Sequence, residues 1–378
     1  METALRSQKD DRALIYDSDG ENPYGKELAA LLKPAIGVKP LMPVDTEWQP
    51  AGISVVRVLP TNRPSSKLAQ SFRMLRGVAA IAHAGLIDRA AILIVMTKGW
   101  YDELSLALMA IFGARVVAFA HDPLPKWKIS RLRHFSRKMM FKHAPVLLAH
   151  SEALAVQAAA VSGRPCKVAP HLPFVEYAAW AKAIAPEKKA SAKRRLLLLG
   201  RMAPDKGLDR LPAIFALIPE NKRKQLSLAF AGKGQCDEVI AKMTQLVDVT
   251  RRPSDRLLSD VEIAEELAKS DVLIAPYRLV TASSTVVLAL SMGLNVIAYD
   301  AGALADIVHA DGLVQHGDEA GFAARICTVI DQPCGGPARS IDAWKQATRE
   351  AWLQAIRESS DAKFQRHRDG SCEIEPQR

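Results

Sequence analysis

Short apolar runs alternate with longer amphipathic stretches along almost the whole chain. Arg12–Asp17 is the first run, followed by a polar loop, DSDGENPYGKE, and an Ala/Leu-rich helical stretch over 27–32. Strand-like runs return at 53–59, 91–96, 115–120 and 146–149, with helical patterns between them, notably over 66–86 and 102–112. Buried strands alternating with amphipathic helices predict a parallel sheet covered on both faces. From Tyr177 to Arg194 the strand pattern gives way to Ala, Lys and Pro, the composition expected of a linker.

The alternation then restarts. Apolar runs at 195–199, 226–231, 247–250, 272–275 and 295–300, and one near Leu313, predict a second sheet. A helix after the fourth run spans 285–292, with Gly293 placed to stop it; another is capped at Ser259 or Asp260. A long helical pattern, 340–368, closes the chain and is placed to pack back across both domains. The expected division is a first α/β domain over 1–175, a linker over 176–194, a second α/β domain over 195–340, and a terminal helix and tail over 341–378.

Composition narrows the class. With 49% hydrophobic and 24% charged residues the chain reads as globular, and no apolar run reaches the length of about 18 residues that a membrane span needs. The amino-terminal stretch METALRSQKDDR has no signal-peptide core, so a cytoplasmic location is expected. Five scattered cysteines without Cys-x-x-Cys spacing fit reduced thiols rather than disulfides or zinc. The net charge of +10 suits an acidic partner without choosing one.

Candidate chemistry lies where predicted strands end. Ser283 and Ser284 sit at a helix start, whose unpaired N–H groups attract phosphate, and Arg278 lies close before them. In GRMAPDKGLDRL, Gly200 turns the chain while Arg201 and Lys206 bring cations to a strand end, as a diphosphate requires. Gly232 opens a Gly-Lys-Gly turn whose third dinucleotide-fingerprint position is Asp237, and Arg252 is placed to flank a base. In the first half, His121 and Asp122 end a strand, where a histidine can position a sugar hydroxyl. Gly20 lets its loop approach a ligand, and Lys98 and Trp100 lie in a second loop that offers an aromatic platform. The segment from Lys126 to Lys142 holds seven Lys or Arg and no acid; Leu132, Phe135 and Met139 form a helical stripe with Arg133 and Arg137 turned away. Such a helix is a candidate for lying on an anionic membrane. Each feature also has a purely structural reading: serines that only cap, aromatics that cover an edge, a stripe packed on the sheet beneath a solvated basic face.

Taken in order, Gly-Arg-x4-Lys-Gly, a strand ending Ala-Gly-Lys-Gly, then Pro-Tyr-Arg, Ser, helix and Gly resemble the retaining GT-B glycosyltransferases of the family-4 type. NPYG, with Asn22, and AHDP resemble the bacterial exopolysaccharide branch. The resemblance implies two facing Rossmann-like domains, no metal, no cofactor, and a UDP- or GDP-linked sugar donor bound by the second domain. Gly200, Arg201, Lys206, Gly232, Arg252, Tyr277, Arg278, Ser283 and Ser284 then form the donor side, with His121 and Asp122 at the transferred sugar. Gly20, Asn22, Lys98 and Trp100 face a saccharide acceptor, lipid-linked or soluble, and the basic helix contacts the inner face of the cytoplasmic membrane. Nucleic acid is not among the expected partners. Many family members carry two glutamates eight residues apart; here those positions are Val280 and Leu288, and Ser284 stands where the branch often has glycine. Two rival readings stay open: a nucleotide-sugar epimerase of the same fold, with Asp19 and Asp122 as candidate acids and bases, and a non-catalytic nucleotide-sugar-binding partner.

Overall fold

The computed structural model describes residues 12–369, apart from 21, 47, 62–64, 125–128, 186, 188–191 and 333, and without the side chains of 253, 254 and 362–369. The chain divides into two compact units, Met1–Pro170 with Lys345–Arg378, and His171–Trp344.

The first unit runs β1 (Arg12–Asp17), α1 (Tyr24–Leu32), β2 (Gly37–Pro43), β3 (Val56–Leu59), α2 (Lys67–Ala82), β4 (Ala91–Met96), α3 (Trp100–Ile111), β5 (Val116–Phe119), α4 (Arg131–His143), β6 (Val146–Ala149), α5 (Glu152–Ser162) and β7 (Lys167–Val168). Its seven strands are all parallel, in the order β3-β2-β1-β4-β5-β6-β7. Strands such as β5 and β6 are buried along their whole length, which their unbroken apolar sequences require once helices cover both faces. β2 was not legible in the sequence, because Pro40 and Pro43 break a strand pattern. It joins the sheet through the buried Leu41 and Met42, with Pro40 opposite Ile15.

The second unit runs α6 (Val175–Ile184), β8 (Arg194–Leu199), α7 (Leu211–Ala216), α8 (Glu220–Arg223), β9 (Leu226–Lys233), α9 (Asp237–Met243), β10 (Asp248–Ser254), α10 (Asp260–Lys269), β11 (Val272–Ala275), α11 (Ser284–Met292), β12 (Asn295–Tyr299), β13 (Leu313–Val314) and α12 (Glu319–Asp331). Six parallel strands lie in the order β10-β9-β8-β11-β12-β13. Where a linker was expected the chain forms α6 instead. Its Tyr177, Ala178 and Ala181 are buried, and the Tyr177 hydroxyl reaches Asp260 Oδ1 at 3.1 Å, so Ala-rich composition here encodes a packed helix.

The long α13 (Ile341–Asp369) begins at the end of the second unit, and from Lys345 onward it belongs to the first. There Trp352 is fully buried and stacks on Phe119 with ring centroids 5.4 Å apart, while Arg115 Nη2 donates to the Ile356 carbonyl at 3.0 Å. The terminal helix is therefore part of the first unit's core.

Candidate functional site

Both sheets reverse their winding beside their first strand, and open parallel sheets bind ligands at that point, beyond the carboxyl ends of the strands. In the second unit the reversal falls between β8 and β11. Their ladder runs only through Val272–Leu196 and Leu273–Leu197, although both strands continue, so their ends part and leave room for the loops that follow.

Those loops meet backbone to backbone. Gly200 and Gly232 have φ of +114° and +142°, and a Cβ on Gly232 would lie 1.8 Å from the Gly200 carbonyl oxygen. Only glycine allows this approach. Gly207 is held as closely, since a Cβ there would lie 1.9 Å from the Pro276 carbonyl oxygen. The amides of Arg278 and Leu279 donate to the Asp205 carbonyl at 2.8 and 3.3 Å, which locks the Gly200–Gly207 segment to the loop after β11. Lys206 Nζ then rests 3.8 Å from the centroid of the buried Tyr277 ring, a cation held over an aromatic face.

Ser283 caps α11 through its Oγ, which accepts from Val286 N at 3.4 Å, and Gly293 ends the helix at φ +83°. Thr285, in the first turn, places its Oγ1 3.5 Å from where a Cβ on Gly200 would stand. Gly200 and Gly232 thus lie beside the first turn of α11, and Lys206 and Tyr277 lie together in two loops locked to each other; the dipole of a helix start favours an anion. Thr285 was not singled out in the sequence; its place one residue after the paired serines was the available signal.

The remaining cations differ in their surroundings. Arg201 is exposed, and its carbonyl accepts from the Ala203 amide at 3.1 Å. Arg278 is paired with Asp209, its Nε donating to Oδ1 at 3.1 Å. Arg252 turns toward α10, where both Nη atoms lie 2.9 Å from Glu265 Oε2 and Nη1 lies 3.2 Å from Glu266 Oε1. That pairing sets Arg252 in a carboxylate cluster. Leu288 is buried, and the Val280 carbonyl is pressed against Gly302, so neither glutamate-equivalent position presents a polar side chain.

In the first unit the loops after β1 and β4 come together. Asp17 Oδ1 accepts from the amides of Asp19 and Gly20 at 3.0 and 3.1 Å, and burial pushes its carboxyl up to about 6. Asn22 Oδ1 accepts from Tyr24 N at 3.0 Å, while Lys98 Nζ pairs with Asp19 Oδ1 at 2.9 Å. Gly20, Asn22 and Lys98 therefore share one rim. Trp100 opens α3, 45% exposed and edge-on to Tyr101.

His121 follows β5 and meets a histidine that sequence reading passed over. His150 Nε2 and His121 Nδ1 share a proton at 3.0 Å, within a box formed by Tyr24, Phe119 and Trp352. The signal was present: the adjacent strands β5 and β6 both run out into Ala-His. His121 Nε2 is sealed from solvent, and burial pushes the imidazole down to about 4 against the opposing charge of Asp122. His121 and Asp122 line a cavity of about 120 Å³ whose other wall is α4.

That helix is turned differently from its expected orientation. Ser136, Met140 and Phe141 are buried, whereas Leu132 and Phe135 are 47% and 54% exposed. Arg133 and Arg137, expected to point outward, face the wholly buried Glu103, 3.6 and 3.1 Å from its Oε1. A buried carboxylate needs cations, and this requirement sets the rotation of the helix against its apolar stripe. The portion 125–128 of the basic segment lies outside the described residues.

Residues 193–332 match the family model of the glycosyl transferases group 1. Among curated proteins none matches the chain. Solved structures similar to it include Anabaena HepE in complex with UDP-glucose, at 19% identity over 93% of this chain and 94% of that one, with a TM-score of 0.57. Sucrose-phosphate synthase from Thermosynechococcus elongatus is similar at 16% identity over 95% and 98% of the two chains, with a TM-score of 0.59. A UDP-forming α,α-trehalose-phosphate synthase from Burkholderia xenovorans, in complex with glucose-6-phosphate, follows at 12% identity over 95% and 99%, with a TM-score of 0.57. The chain has the GT-B fold, and the match to the group 1 glycosyl transferase model falls within its second unit.

Proposed function

We propose that the protein transfers a sugar from a UDP- or GDP-linked donor to a saccharide acceptor, retaining the anomeric configuration and requiring no metal. The observation that carries this reading is the convergence of Gly200, Gly232, Lys206, Tyr277 and the Ser283-capped mouth of α11 at the winding reversal of the second unit. As the glycosidic bond stretches, the departing diphosphate gains negative charge. Helix N–H groups and Lys206, already aimed, stabilise that charge without reorganising. Arg201, exposed beside them, supplies a second cation. His121 and Asp122 line the space assigned to the acceptor hydroxyl.

Thermal-shift titration with UDP, GDP, ADP and their sugars tests the donor assignment, because a ligand that binds the folded state raises its melting temperature. Lys206→Ala is expected to lower turnover about 100-fold, corresponding to about 3 kcal/mol of barrier, with melting temperature unchanged. Wild-type turnover in that variant overturns the assignment. Val280 and Leu288 favour a second reading, a non-catalytic nucleotide-sugar-binding partner, which nucleotide binding without donor hydrolysis or transfer would select.

The acceptor assigned to this reaction is a lipid-linked saccharide of exopolysaccharide synthesis. Among the described residues no helix is long and apolar enough to cross a membrane. Contact is assigned instead to the outer face of α4, where Leu132 and Phe135 are exposed among Arg131, Lys138 and Lys142. Flotation with phosphatidylglycerol vesicles but not with phosphatidylcholine vesicles is the expected result. Absence from both floating fractions removes the membrane from the proposal.

A further inference from the structure

The cavity beside His121 has a cationic wall that sugar transfer, as proposed, does not use. Arg137 spends its Nε on Glu103 Oε1 and one Nη1 hydrogen bond, at 3.4 Å, on the Asp122 carbonyl. Arg133 spends its Nη2 on the Thr97 carbonyl at 3.2 Å, with its Nε 3.6 Å from Glu103. A guanidinium carries five N–H donors, so among the described residues at least half on each arginine have no acceptor. Glu103, by contrast, is saturated: Ser136 Oγ donates to Oε2 at 2.7 Å, and Thr97 Oγ1 to Oε1 at 3.2 Å. One buried carboxylate thus fixes two forks and neutralises only one of them. Asp122 adds a second acid to the lining, but α4 also carries Arg131, Lys138 and Lys142, and the sequence has no acid between Lys126 and Lys142. The local field favours an anion. The cavity, about 120 Å³, has room for a small charged group.

We infer that this cavity is a subsite for an oxyanion carried by the acceptor, a carboxylate or a phosphate, gripped by the spare fork donors of Arg133 and Arg137. Oriented guanidinium forks match such groups bidentately. The inference rests on the acceptor-side reading above and adds the acceptor's charge class to it.

Methyl NMR of the full chain, with ¹³C-methyl methionine, tests it. Met96 and Met140 line the cavity, and Met202 lies in the other unit, its carbonyl against Gly234. D-glucuronate, inorganic phosphate and D-glucose are titrated at constant ionic strength, and UDP in a separate series. Saturable shifts at Met96 and Met140 with glucuronate or with phosphate, and none with glucose, are expected; the tighter anion identifies its source. Arg137→Gln weakens that binding about tenfold or more. Arg133→Gln, which leaves the Arg137–Glu103 pair intact, does the same, and Arg131→Gln on the outer face does not. Equal response to glucose, no saturable response to either anion, or unchanged affinity in both inward variants overturns the subsite. If UDP moves Met202 while both anions leave Met96 and Met140 in place, the subsite alone fails. If UDP leaves Met202 unmoved, the donor assignment fails independently.

Discussion

Beyond β8, β9 and β11 the second unit brings backbone against backbone, glycine on carbonyl, around a helix mouth. Beyond β4, β5 and β6 the first unit instead brings side chain against side chain: His121 on His150, Arg137 on Glu103, Trp352 under Phe119. A crevice of the first kind suits a ligand part that never varies, such as a diphosphate, because amides and a helix dipole recognise charge and little else. A crevice of the second kind can change its specificity with a few substitutions, as suits the acceptor side of a transfer reaction.

The largest effect is expected where backbone meets backbone. Gly232→Ala places a Cβ 1.8 Å from the Gly200 carbonyl oxygen at a φ of +142°, so both strand ends must move. Strain and overpacking together cost about 4 kcal/mol. Calorimetry should show a lowered unfolding transition, and nucleotide binding should vanish while the anion response at Met96 and Met140 survives. A variant that still binds nucleotide with native affinity would show that the close glycine pair is incidental to the donor site.

Glu103→Ala makes the converse cut. Removing a wholly buried carboxylate strands Arg137, 14% exposed, and the more open Arg133. Breaking a fully buried pair costs 3–5 kcal/mol; partial solvation of both arginines reduces the expectation here to about 2–3 kcal/mol. Nucleotide affinity should stay native. Loss of nucleotide binding in this variant would erase the distinction between the two crevices.

The same contrast explains what the sequence disclosed. Gly200, Gly232, Ser283 and Gly293 were readable because positive φ, close approach and capping each restrict a position to very few residue types. The strand–helix alternation was readable for the same reason of local pattern. Side-chain pairings across the sheet leave no such mark. Glu103 lies thirty residues before Arg133 in sequence and looks like any acid in the first turn of a helix, so α4 was given the wrong inward face. The acids of α10 that pair with Arg252 follow it only after a turn, so that pairing left no local mark in the sequence. Alanine-rich α6 resembled a linker because composition does not reveal that Tyr177 anchors it on Asp260.

The smallest expected effect is also the sharpest test of the side-chain crevice, because two of its buried groups titrate in opposite senses over one pH window. His121 is held near 4, below the usual histidine value of about 6.5. As pH falls from 6.5 toward 4 the unfolded chain takes a proton that the folded imidazole refuses, so His121 removes stability over that range and leaves it intact above. Asp17 is raised to about 6 from an ordinary value of 3.8. Falling pH protonates it first in the folded state, so Asp17 returns stability between 6 and 4. In the wild type these two contributions therefore oppose each other, with denaturant midpoints measured at half-unit steps. In Asp17→Asn, which keeps an acceptor for the Asp19 and Gly20 amides, stability should fall by about 1–2 kcal/mol as pH drops from 6.5 to 4. In His121→Asn it should rise by a similar amount between 6 and 4. Parallel slopes in the two variants would mean that neither group is shielded from water, and that the side-chain crevice is wetter than its packing implies.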